Sequence, residues 1–469
     1  MEFLTELLKS KKYLVKIIEK DSRVGGLAKS YEFNGNRVDI GGHRYFTKNK
    51  QVQKLWDDIL PIGEEGMLLK PRSSHILYNG CSFAYPLEIS KQLIQSIGIR
   101  NGLIALGDYI YSINHKIEEK SLEDFFINRF GKKLYTLFFK DYTEKLWGIP
   151  ASLLLPDWGS QRIQRLNLSS VIKNIILKNE NCEKSLTQYF NYPAMGSGQL
   201  WDNLYRMCIH EGAHIVLNSE AIELKCNDER INQVKYIDNK EIKHESADVV
   251  ISTMPLKDLV NRINNCPEEV LIIANNLKYR DMVTVSFFIE CKYAGIQLIE
   301  NKKDCWIYIQ EKTVKAGRLQ ILNNWSREAL NNKKGFLLQV EYYCNENDEL
   351  WNLADNEIIE FAIMEMKMCQ VVSNDVVVEE YLINRANKAY PIYDKTYQYI
   401  NKVRNWIDGI EGLYCIGRNG RHIYGNIDQV MESAFYAFNV IMANGERKEK
   451  IWLVNQDDEY IEKYSSSEK

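Results

Sequence analysis

One stretch near the start of the chain, KIIEKDSRVGGLAKS at positions 16–30, limits the fold more than any other. It combines the end of an apolar strand, an acidic residue at Glu19 and a glycine pair at Gly25 and Gly26. An acid directly after such a strand is placed to bind the ribose hydroxyls of an adenosine, although a solvated acid at a strand end gives the same pattern. Paired glycines let backbone amides approach a pyrophosphate. The stretch predicts a dinucleotide-binding unit of the Rossmann type.

A glycine-rich turn of the form G-x-G-x-x-G normally precedes such an acid, and the first glycine in this sequence is Gly25. The segment EFLTELLKS carries apolar residues at helical spacing, and YLVKII is typical of a short strand. We expect these segments to be the first helix and second strand of the unit. The first strand and its turn are then expected upstream of Met1, on about ten to fifteen further residues. The alternative is a unit that binds its dinucleotide weakly.

Two further glycine-rich segments support this prediction. DIGGHRYF places Gly41 and Gly42 directly before His43 and Arg44. Near the other end of the chain, CIGRNGRHIYGNIDQVMESA joins a strand to a helix through a glycine-rich loop. A helix N-terminus presents unpaired amides and the positive end of its dipole to an anion. The same residues can also be interpreted as a helix cap built on Asp428, and this interpretation is compatible with anion binding.

The remaining patterns predict two other units. The segment SLEDFFINRFGKKLYTLFFKDYTEKLWG places apolar and aromatic residues on one helical face. The runs RDMVTVSFFIEC, DCWIYIQEK, GRLQILNNW and GFLLQVEYYC are rich in β-branched and aromatic residues, which indicates an antiparallel sheet. We predict an α/β fold with a discontinuous Rossmann-like domain at 1–70, 190–260 and 400–445, a helical insertion at 71–189, an antiparallel substrate domain at 261–399 and a polar tail at 446–469.

Composition excludes several classes of protein. Of the 469 residues, 45% are hydrophobic and 26% are charged, so there is enough apolar surface for a large core. A net charge of -3 gives no excess that would point to nucleic acid or an anionic membrane. Ten scattered cysteines without a C-x-x-C pair indicate reduced thiols. With neither a signal peptide nor a long apolar run in the sequence, we expect a cytoplasmic protein without a membrane span.

The pattern HEGAH matches the H-E-x-x-H motif of zinc proteases. That motif requires both histidines on one face of a single helix. Gly212 lies where the helix before it should end, and HIVLNSEAIEL is typical of a strand. We therefore predict that His210 and His214 belong to different elements and that no metal site forms.

Together these segments resemble a known superfamily. EKDSRVGGLAKSYEFNGNRVDIGGHRYFTKN is similar to the N-terminal signature of the FAD-dependent amine oxidases, protoporphyrinogen oxidases and phytoene desaturases. FFKDYTEKLWGIP, YPAMGSGQLWDNL and IGRNGRHIYGNIDQVMESAF resemble a bacterial branch similar to UDP-galactopyranose mutase. The resemblance extends to about Met442. It implies a Rossmann-like FAD-binding domain assembled from three separated segments, with substrate bound against an inserted domain.

The resemblance also implies cofactor-binding positions. Glu19 would hold the adenosine ribose, and the diphosphate would be lined by Arg23, Gly25, Gly26 and Leu27. Residues near the isoalloxazine ring would be Gly41, Gly42 and His43, with His43 and Arg44 tuning the ring. The ribityl chain and ring edge would be covered by Gly417, Arg418, Asp428, Gln429 and Val430. The backbone of Ala221 or Ile222 would meet the adenine.

By similarity to the mutases, seven residues would face a nucleotide sugar, namely Tyr142, Lys145, Trp147, Arg162, Arg280, Tyr390 and Tyr424. The leading hypothesis is an FAD-dependent oxidoreductase of nucleotide-sugar or cell-surface polysaccharide metabolism, in which the flavin accepts a hydride. The first alternative is an isomerase of the UDP-galactopyranose mutase type, in which reduced flavin acts as a nucleophile on the sugar. The second is a cofactor-free remnant that acts as a scaffold.

Overall fold

The computed structural model describes residues 13–85, 96–159, 189–227, 229–331, 334–443 and 445–454. The strands of this part of the chain are β1 Lys16–Ile18, β2 Ser30–Phe33, β3 Asn36–Asp39, β4 Met67–Pro71, β5 Ser74–Tyr78, β6 Cys81–Ala84, β7 Tyr189–Pro193, β8 His214–Val216, β9 Ser219–Asn227, β10 Arg230–Asp238, β11 Glu241–Ser246, β12 Val250–Ser252, β13 Tyr279–Glu290, β14 Trp306–Ile309, β15 Arg318–Ile321, β16 Gly335–Cys344, β17 Tyr381–Pro391 and β18 Leu413–Cys415.

The helices are α1 Lys50–Ile59, α2 Ile99–Asn114, α3 Leu122–Leu134, α4 Lys140–Trp147, α5 Gly198–His210, α6 Leu256–Arg262, α7 Glu268–Asn276, α8 Ile296–Glu300, α9 Leu322–Trp325, α10 Glu349–Asn352, α11 Asp355–Met368, α12 Ile400–Asp408, α13 Gly417–Arg421, α14 Ile427–Met442 and α15 Lys450–Leu453. A π-helical turn, Tyr135–Phe139, joins α3 to α4. None of the helices in the described ranges has the length and apolar composition needed to cross a bilayer.

Two parallel strand pairs form the Rossmann-like part. Strand β1 pairs with β8, and β12 pairs with β18. The antiparallel meander β9–β10–β11 lies beside them, with Lys16 of β1 paired to Glu245 of β11. Val250 at the start of β12 donates to the carbonyl of Gly412, which holds β12 beside β18. The segment IKHESADVVISTMP divides into β11 and β12, because its two halves pair with different neighbours.

A seven-stranded sheet forms the second unit, in the order β17–β13–β16–β15–β14–β5–β6. All neighbours in it are antiparallel except β14 and β5. Along β16 the side chains alternate: Leu338, Val340 and Tyr342 enter an apolar core that includes residues of α11, while Gln339 and Glu341 point to the other face. This period of two places a polar stripe on the opposite side of an otherwise apolar sheet. The predicted α/β fold with an antiparallel substrate sheet is confirmed.

The predicted helical insertion at 71–189 was too broad. Strands β5 and β6 lie inside that range and join the large sheet, beside β14. The turn between them is Asn79-Gly80, with φ of 50° and 70°. Asn-Gly between two short strands is the strongest local hairpin signal, because both turn positions need positive φ. Helices α2, α3 and α4 account for the helical part of the insertion that the structure describes.

The end of the described chain is fixed by one buried arginine. Arg421 of α13 has no solvent exposure. Its Nη1 donates to the carbonyls of Ile451 and Val454 at 2.9 and 2.8 Å, and its Nε donates to Gly417 at 3.4 Å. Residues 451–454 are thereby attached to the glycine-rich loop that begins at Gly417.

Candidate active site

The polar face of the large sheet carries a chain of buried side chains. Gln320 of β15 and Gln339 and Glu341 of β16 have no solvent exposure. Burying polar groups is unfavourable unless each finds a partner. Here Gln320 donates to Glu341 at 2.6 Å, and Gln339 donates to the carbonyl of Asp39 at 2.7 Å. The sheet therefore presents a fixed polar surface to the segment that follows β3.

That segment contains the second predicted glycine pair. The amide of Gly41 donates to Gln339 Oε1 at 3.1 Å. A Cβ at Gly41, where φ is 75°, would lie 3.0 Å from Glu341 Oε1, and one at Gly42 would lie 2.9 Å from Gln320 and Trp325. Side chains at these positions would collide with the sheet. The glycines thus allow the backbone to lie directly on the polar face, which sets the position of His43.

A buried ion pair lies next to His43. Arg318 Nε is 3.0 Å from Glu341 Oε2, and Arg318 Nη2 donates to the Tyr343 hydroxyl at 3.1 Å. Arg318 and Glu341 are opposite each other in the β15–β16 register. Burial opposes the charge of Arg318, but the Glu341 carboxylate outweighs it, so the pKa of Arg318 lies well above its ordinary value. The Arg318 guanidinium also lies 5.9 Å from the Tyr308 ring centre.

A second arginine, Arg418 of the C-terminal segment, also places its charge near His43. Arg418 donates to the carbonyls of Gly425 and Ala389 at 2.7 and 3.0 Å. Its guanidinium lies 4.7 Å from the ring centre of Tyr424 and 5.6 Å from that of Tyr390. No carboxylate of the described chain is within ion-pair distance of it. Among the described residues, the charge of this fixed cation is balanced only by carbonyl dipoles and aromatic faces.

Aromatic side chains enclose the two arginines. Tyr390 and Tyr424 stack with ring centres 5.7 Å apart, and Tyr343 lies edge-on to Tyr390 at 6.0 Å. Tyr142 of α4 lies edge-on to Tyr308 at 5.7 Å. Burial raises the pKa of Tyr390 to about 12 and raises that of Tyr142 further. These hydroxyls stay protonated at neutral pH and can donate hydrogen bonds.

The charges of the site keep His43 neutral. Burial, together with the positive charges of Arg418 and Arg318, lowers the pKa of His43 to about 3. Its Nδ1 is buried with no hydrogen-bond partner in the described residues, and it lies 3.9 Å from Asp39 Oδ2. A neutral imidazole with an unpaired nitrogen can exchange a hydrogen bond with a ligand but is a poor proton acceptor here.

Asp39 connects the head of the chain to its middle. The carboxylate accepts from the Ser30 hydroxyl at 2.5 Å, the Tyr192 hydroxyl at 2.7 Å and the Ser197 amide at 3.0 Å. Burial raises the pKa of Asp39 to about 6, against the effect of these three bonds. Ser197 directly precedes α5, so this carboxylate holds the N-terminus of α5 against β2 and β3.

The first predicted glycine pair lies at the other end of the same region. Gly25 and Gly26 have φ of 101° and 54°, which are accessible to glycine at little cost. A Cβ at Gly25 would lie 3.1 Å from the Trp201 ring, whereas the space at Gly26 is open. Arg23 beside them donates to the Ser30 carbonyl at 3.2 Å and lines an open cavity of about 310 Å³ with Arg37.

Glu19 lies at the carboxyl end of β1. Its Oε1 accepts from the Asp21 amide at 2.8 Å, and its carbonyl accepts from the Ser219 amide at 2.8 Å. Burial raises its pKa. Ser219, the residue bonded to Glu19, begins β9. Ala221 and Ile222 are therefore two and three residues further along the same strand. The residues expected around the adenosine are thus brought together, and their roles stay predictions.

The C-terminal loop has the conformation expected for a close approach. Gly417 has φ of 80°, and its amide donates to Ser433 of α14 at 3.0 Å. Asp428 and Gln429 lie in the first turn of α14, and Gln429 Oε1 accepts from the Asn426 amide at 2.8 Å. Val430 is the nearest neighbour of a Cβ built on Gly417, at 3.9 Å.

Other predicted substrate residues serve in part as structural links. Arg280 is buried and donates to the carbonyls of Leu146 and Tyr343 at 3.2 and 2.8 Å. Lys145 Nζ donates to three carbonyls of the 309–316 segment at 2.9 to 3.1 Å, and burial lowers its pKa to about 8. Both line a cavity of about 440 Å³. Trp147 is buried and lies edge-on to Tyr390.

Four residues singled out in the sequence remain. The guanidinium of Arg44 lies 5.3 Å from the ring centre of Trp306. Arg162 lies outside the described residues. His210 ends α5 and His214 begins β8, with Gly212 at φ 94° between them, so the two imidazoles leave from different elements.

The assembled residues fit an elongated dinucleotide. One end offers the Glu19 carboxylate and the open space beside Gly26, and the other offers His43 Nδ1, which has no partner among the described residues and feels the charge of Arg418. The polar ring edge of a flavin matches unpaired donors and acceptors, and its diphosphate matches amides and an arginine.

Comparison with known proteins decides the family. The model of the flavin-containing amine oxidoreductases matches residues 5–434. The chain belongs to the flavin-containing amine oxidoreductase family. It is accordingly a flavin enzyme with FAD as its cofactor. The roles of Glu19, the two glycine pairs and the loop at Gly417 in holding FAD stay predictions.

Solved structures share the fold of this flavoenzyme at low identity. A reduced UDP-galactopyranose mutase has a TM-score of 0.81 at 18% identity, covering 98% of this chain and 96% of its own. A putative protoporphyrinogen oxidase from Exiguobacterium sp. 255-15 has a TM-score of 0.69 at 14% identity, covering 96% and 95%. Putrescine oxidase bound to putrescine has a TM-score of 0.59 at 12% identity, covering 94% and 96%. These likenesses establish the fold.

Sequence reasoning missed part of the flavoenzyme's site. The missed residues include Tyr308, Glu341 and Tyr343. The sequence did contain a usable signal. In the apolar strand segments RLQI and LLQVEYY, a polar residue stands at every second position. That signal marks a sheet face that needs polar partners.

Proposed function

We propose that this flavoenzyme acts on a nucleoside-diphosphate sugar. The observation that carries the proposal is Arg418, a cation without a carboxylate partner in the described chain, whose positive charge acts on His43 together with that of the paired cation Arg318. A site with net positive charge favours an anionic ligand, and an arginine that is already fixed by carbonyls loses little freedom when it binds a diphosphate. Tyr390 and Tyr424 offer flat apolar faces to a base or a sugar.

The same charges argue against an amine substrate. A protonated amine near two arginines would be repelled by like charge, and the cost grows as water is excluded. The structurally similar putrescine oxidase is bound to putrescine, a dication in water. Family membership alone therefore does not assign amine oxidation to this chain.

For the reaction, we propose non-redox isomerisation of the sugar ring, as in the mutase alternative. Removing a hydride from a sugar alcohol also requires a base for the hydroxyl proton. In the described part of the site His43 is held neutral with a pKa of about 3, and Glu341 is occupied by Arg318. Departure of a diphosphate from the anomeric carbon instead needs cations, which Arg418 and Arg318 supply.

The roles of the residues follow from these positions. FAD, when bound, supplies either hydride acceptance or, when reduced, a nucleophilic ring nitrogen. Arg418 and Arg318 hold the diphosphate and stabilise its negative charge. The tyrosine hydroxyls orient the sugar while they remain protonated. Glu341 positions Arg318, and the aromatic rings exclude water from the reacting carbon.

Anaerobic assay of the dithionite-reduced holoenzyme with UDP-galactofuranose tests this proposal. We expect UDP-galactopyranose to form without net consumption of reductant, and we expect the oxidised enzyme to be inactive. Bleaching of oxidised flavin in proportion to sugar oxidised would instead support the oxidoreductase alternative. Failure of UDP to compete with any ligand at the site would overturn the nucleotide-sugar assignment.

A further inference from the structure

A buried lysine ends the loop that joins β1 to β2. Lys29 is only 9% exposed, and a lysine is rarely buried unless it has a partner. Its Nζ is paired with the Asp21 carboxylate and lies 5.3 Å from the ring centre of Tyr31. Burial by itself would lower the pKa of Lys29, but its bonds to Asp21 and Tyr31 outweigh burial, so the pKa lies above its ordinary value. Lys29 is therefore a charged group that is fixed inside the protein.

Asp21 connects this lysine to Glu19. The Asp21 amide donates to Glu19 Oε1 at 2.8 Å, and the Asp21 carbonyl accepts from the Asn218 amide at 2.9 Å. Asp21 Oδ1 accepts from the Ser22 amide at 2.7 Å, which leaves Oδ2 for Lys29. A displacement of Asp21 would therefore displace the amide that holds one oxygen of the Glu19 carboxylate.

The same lysine follows the turn that carries the first glycine pair. A short 3₁₀ turn spans Gly26–Ala28, and the Lys29 amide donates to the Gly26 carbonyl at 3.5 Å. The Ala28 amide donates to the Gly25 carbonyl at 2.9 Å. The side chain of Lys29 thus spans the loop, from the glycine pair at one end to the acidic residues at the other.

We propose that Lys29 is a positioning residue for FAD, which acts through Asp21 and sets the adenosine end of the site by holding Glu19 in place. A carboxylate that is oriented before its ligand arrives loses less conformational freedom when it binds the ribose hydroxyls. The proposal rests on FAD as the cofactor of the family and on the predicted role of Glu19. It does not depend on which substrate the enzyme uses.

A long-range charge effect on the cofactor predicts a different outcome. The diphosphate of FAD is negatively charged, so removing the charge of Lys29 would weaken binding, whereas removing the charge of Asp21 would tighten it. If the pair positions Glu19, the loss of either member weakens binding, because either loss releases the Asp21 amide from its fixed place. The sign of the effect at Asp21 therefore separates the two explanations.

The test uses titration calorimetry to measure the dissociation constants of FAD and of ADP for the full-length protein after its FAD has been removed. We expect Lys29→Met and Asp21→Asn each to raise both constants about 5- to 10-fold. The double variant should raise them no further, because both substitutions break the same link. Lys16→Met is the matched control: Lys16 is also paired with an acid, Glu245, at the start of β1, and its loss should leave both constants unchanged.

The absorption spectrum of each FAD-saturated variant gives a second readout. We expect the spectrum of the bound flavin to match that of the wild type, because the effect is confined to the adenosine end. The side chain of Asp21 is 42% exposed, so Asp21→Asn tests the proposal even if Lys29→Met does not fold.

Three results would overturn the proposal. Tighter binding of FAD by Asp21→Asn would assign the pair to a charge effect. Unchanged constants in Lys29→Met, or a wild type that takes up no FAD, would leave Lys29 without a role in cofactor binding. A changed flavin spectrum, or an equal loss of affinity in Lys16→Met, would show a general structural effect instead.

Discussion

At the scale of single residues, His43 and Asp39 have opposite protonation behaviour although they are only 3.9 Å apart. Burial and two arginines lower the pKa of His43 from 6.5 to about 3, and burial raises that of Asp39 from 3.8 to about 6. Between pH 3 and 6.5 the unfolded state binds more protons at His43 than the folded state does, so the contribution of His43 to stability rises with pH. Between pH 3.8 and 6 the folded state binds more protons at Asp39, so its contribution falls. The two effects cancel over most of this range.

Single substitutions should reveal this cancellation. As the pH rises from 4.5 to 6.0, the free energy of unfolding of the His43→Gln variant should fall by about 2 kcal/mol relative to that of the wild type. Over the same interval, the free energy of unfolding of the Asp39→Asn variant should rise by about 2 kcal/mol relative to that of the wild type. Urea denaturation at the two pH values measures both changes. The double variant should return to the wild-type slope. Parallel profiles for all four proteins would contradict the assigned pKa shifts.

Arg418 is the residue whose loss should affect the substrate most. Arg418→Gln removes one charge-assisted contact with a diphosphate, a contact worth about 1.5–3 kcal/mol. We therefore expect the dissociation constant for UDP to increase about 10- to 100-fold. Titration calorimetry measures it. Arg385→Gln is the control, because Arg385 pairs with Asp355 on the surface and should leave UDP binding unchanged. An unchanged constant in Arg418→Gln would remove the diphosphate from this position.

At the scale of elements, the helical insertion is joined to the sheet at the C-terminus of α4. Gly148 ends this helix with φ of 71°, and the guanidinium of Arg280 on β13 occupies the space beside it while bonding to the last carbonyls of the helix. Lys145, one turn earlier, is bonded to the 309–316 segment. The helix that carries Tyr142 is thereby fixed relative to the strand that carries Arg318.

Replacing Gly148 should break this junction. A Cβ there would lie 2.6 Å from Arg280 Cζ and would also require a left-handed backbone. We expect Gly148→Ala to lower the free energy of unfolding by about 3 kcal/mol, from backbone strain and lost bonds to the guanidinium. Urea denaturation measures the loss. Gly63→Ala, at a position with open space and no positive φ, should change stability by less than about 0.5 kcal/mol. Equal effects at both glycines would contradict a specific junction.

The same elements show what sequence can predict. The strands β13 to β16 were predicted because each is a local run of β-branched and aromatic residues, and the glycine pairs were predicted because positive φ and close approach need glycine. Arg318 and Glu341 could not be paired from the sequence, because they meet only through the β15–β16 register. Likewise, the sequence does not show that the guanidinium of Arg280 faces helix carbonyls.

At the scale of the whole molecule, distant segments of chain meet around one region. Asn49 near the start donates to Glu432 of α14 at 2.9 Å, and Trp56 of α1 donates to the Met431 sulfur at 3.1 Å. Asp39 binds the middle segment at Ser197. A dinucleotide that contacts all three segments would stabilise the folded state as a whole, because the unfolded chain holds none of the segments together.

FAD should therefore raise the thermal stability of the whole chain. The purified protein should show a flavin absorption spectrum. After FAD has been removed, adding it back at 100 times its dissociation constant should stabilise the protein by about 2.7 kcal/mol. Differential scanning calorimetry over a range of FAD concentrations measures this shift, with ADP as a control that contacts only one end. A colourless protein whose melting temperature ignores FAD would favour the cofactor-free scaffold.

The bonds from Arg421 to Ile451 and Val454 give the last described residues an unexpected importance for the loop at Gly417. A protease cut or a deletion between Gly445 and Ile451 would leave a guanidinium in an apolar interior with two acceptors gone, and the loop would have to open to hydrate it. Engineering at this end of the chain would then alter flavin retention from a distance, although no residue beyond Val430 is expected to touch the cofactor.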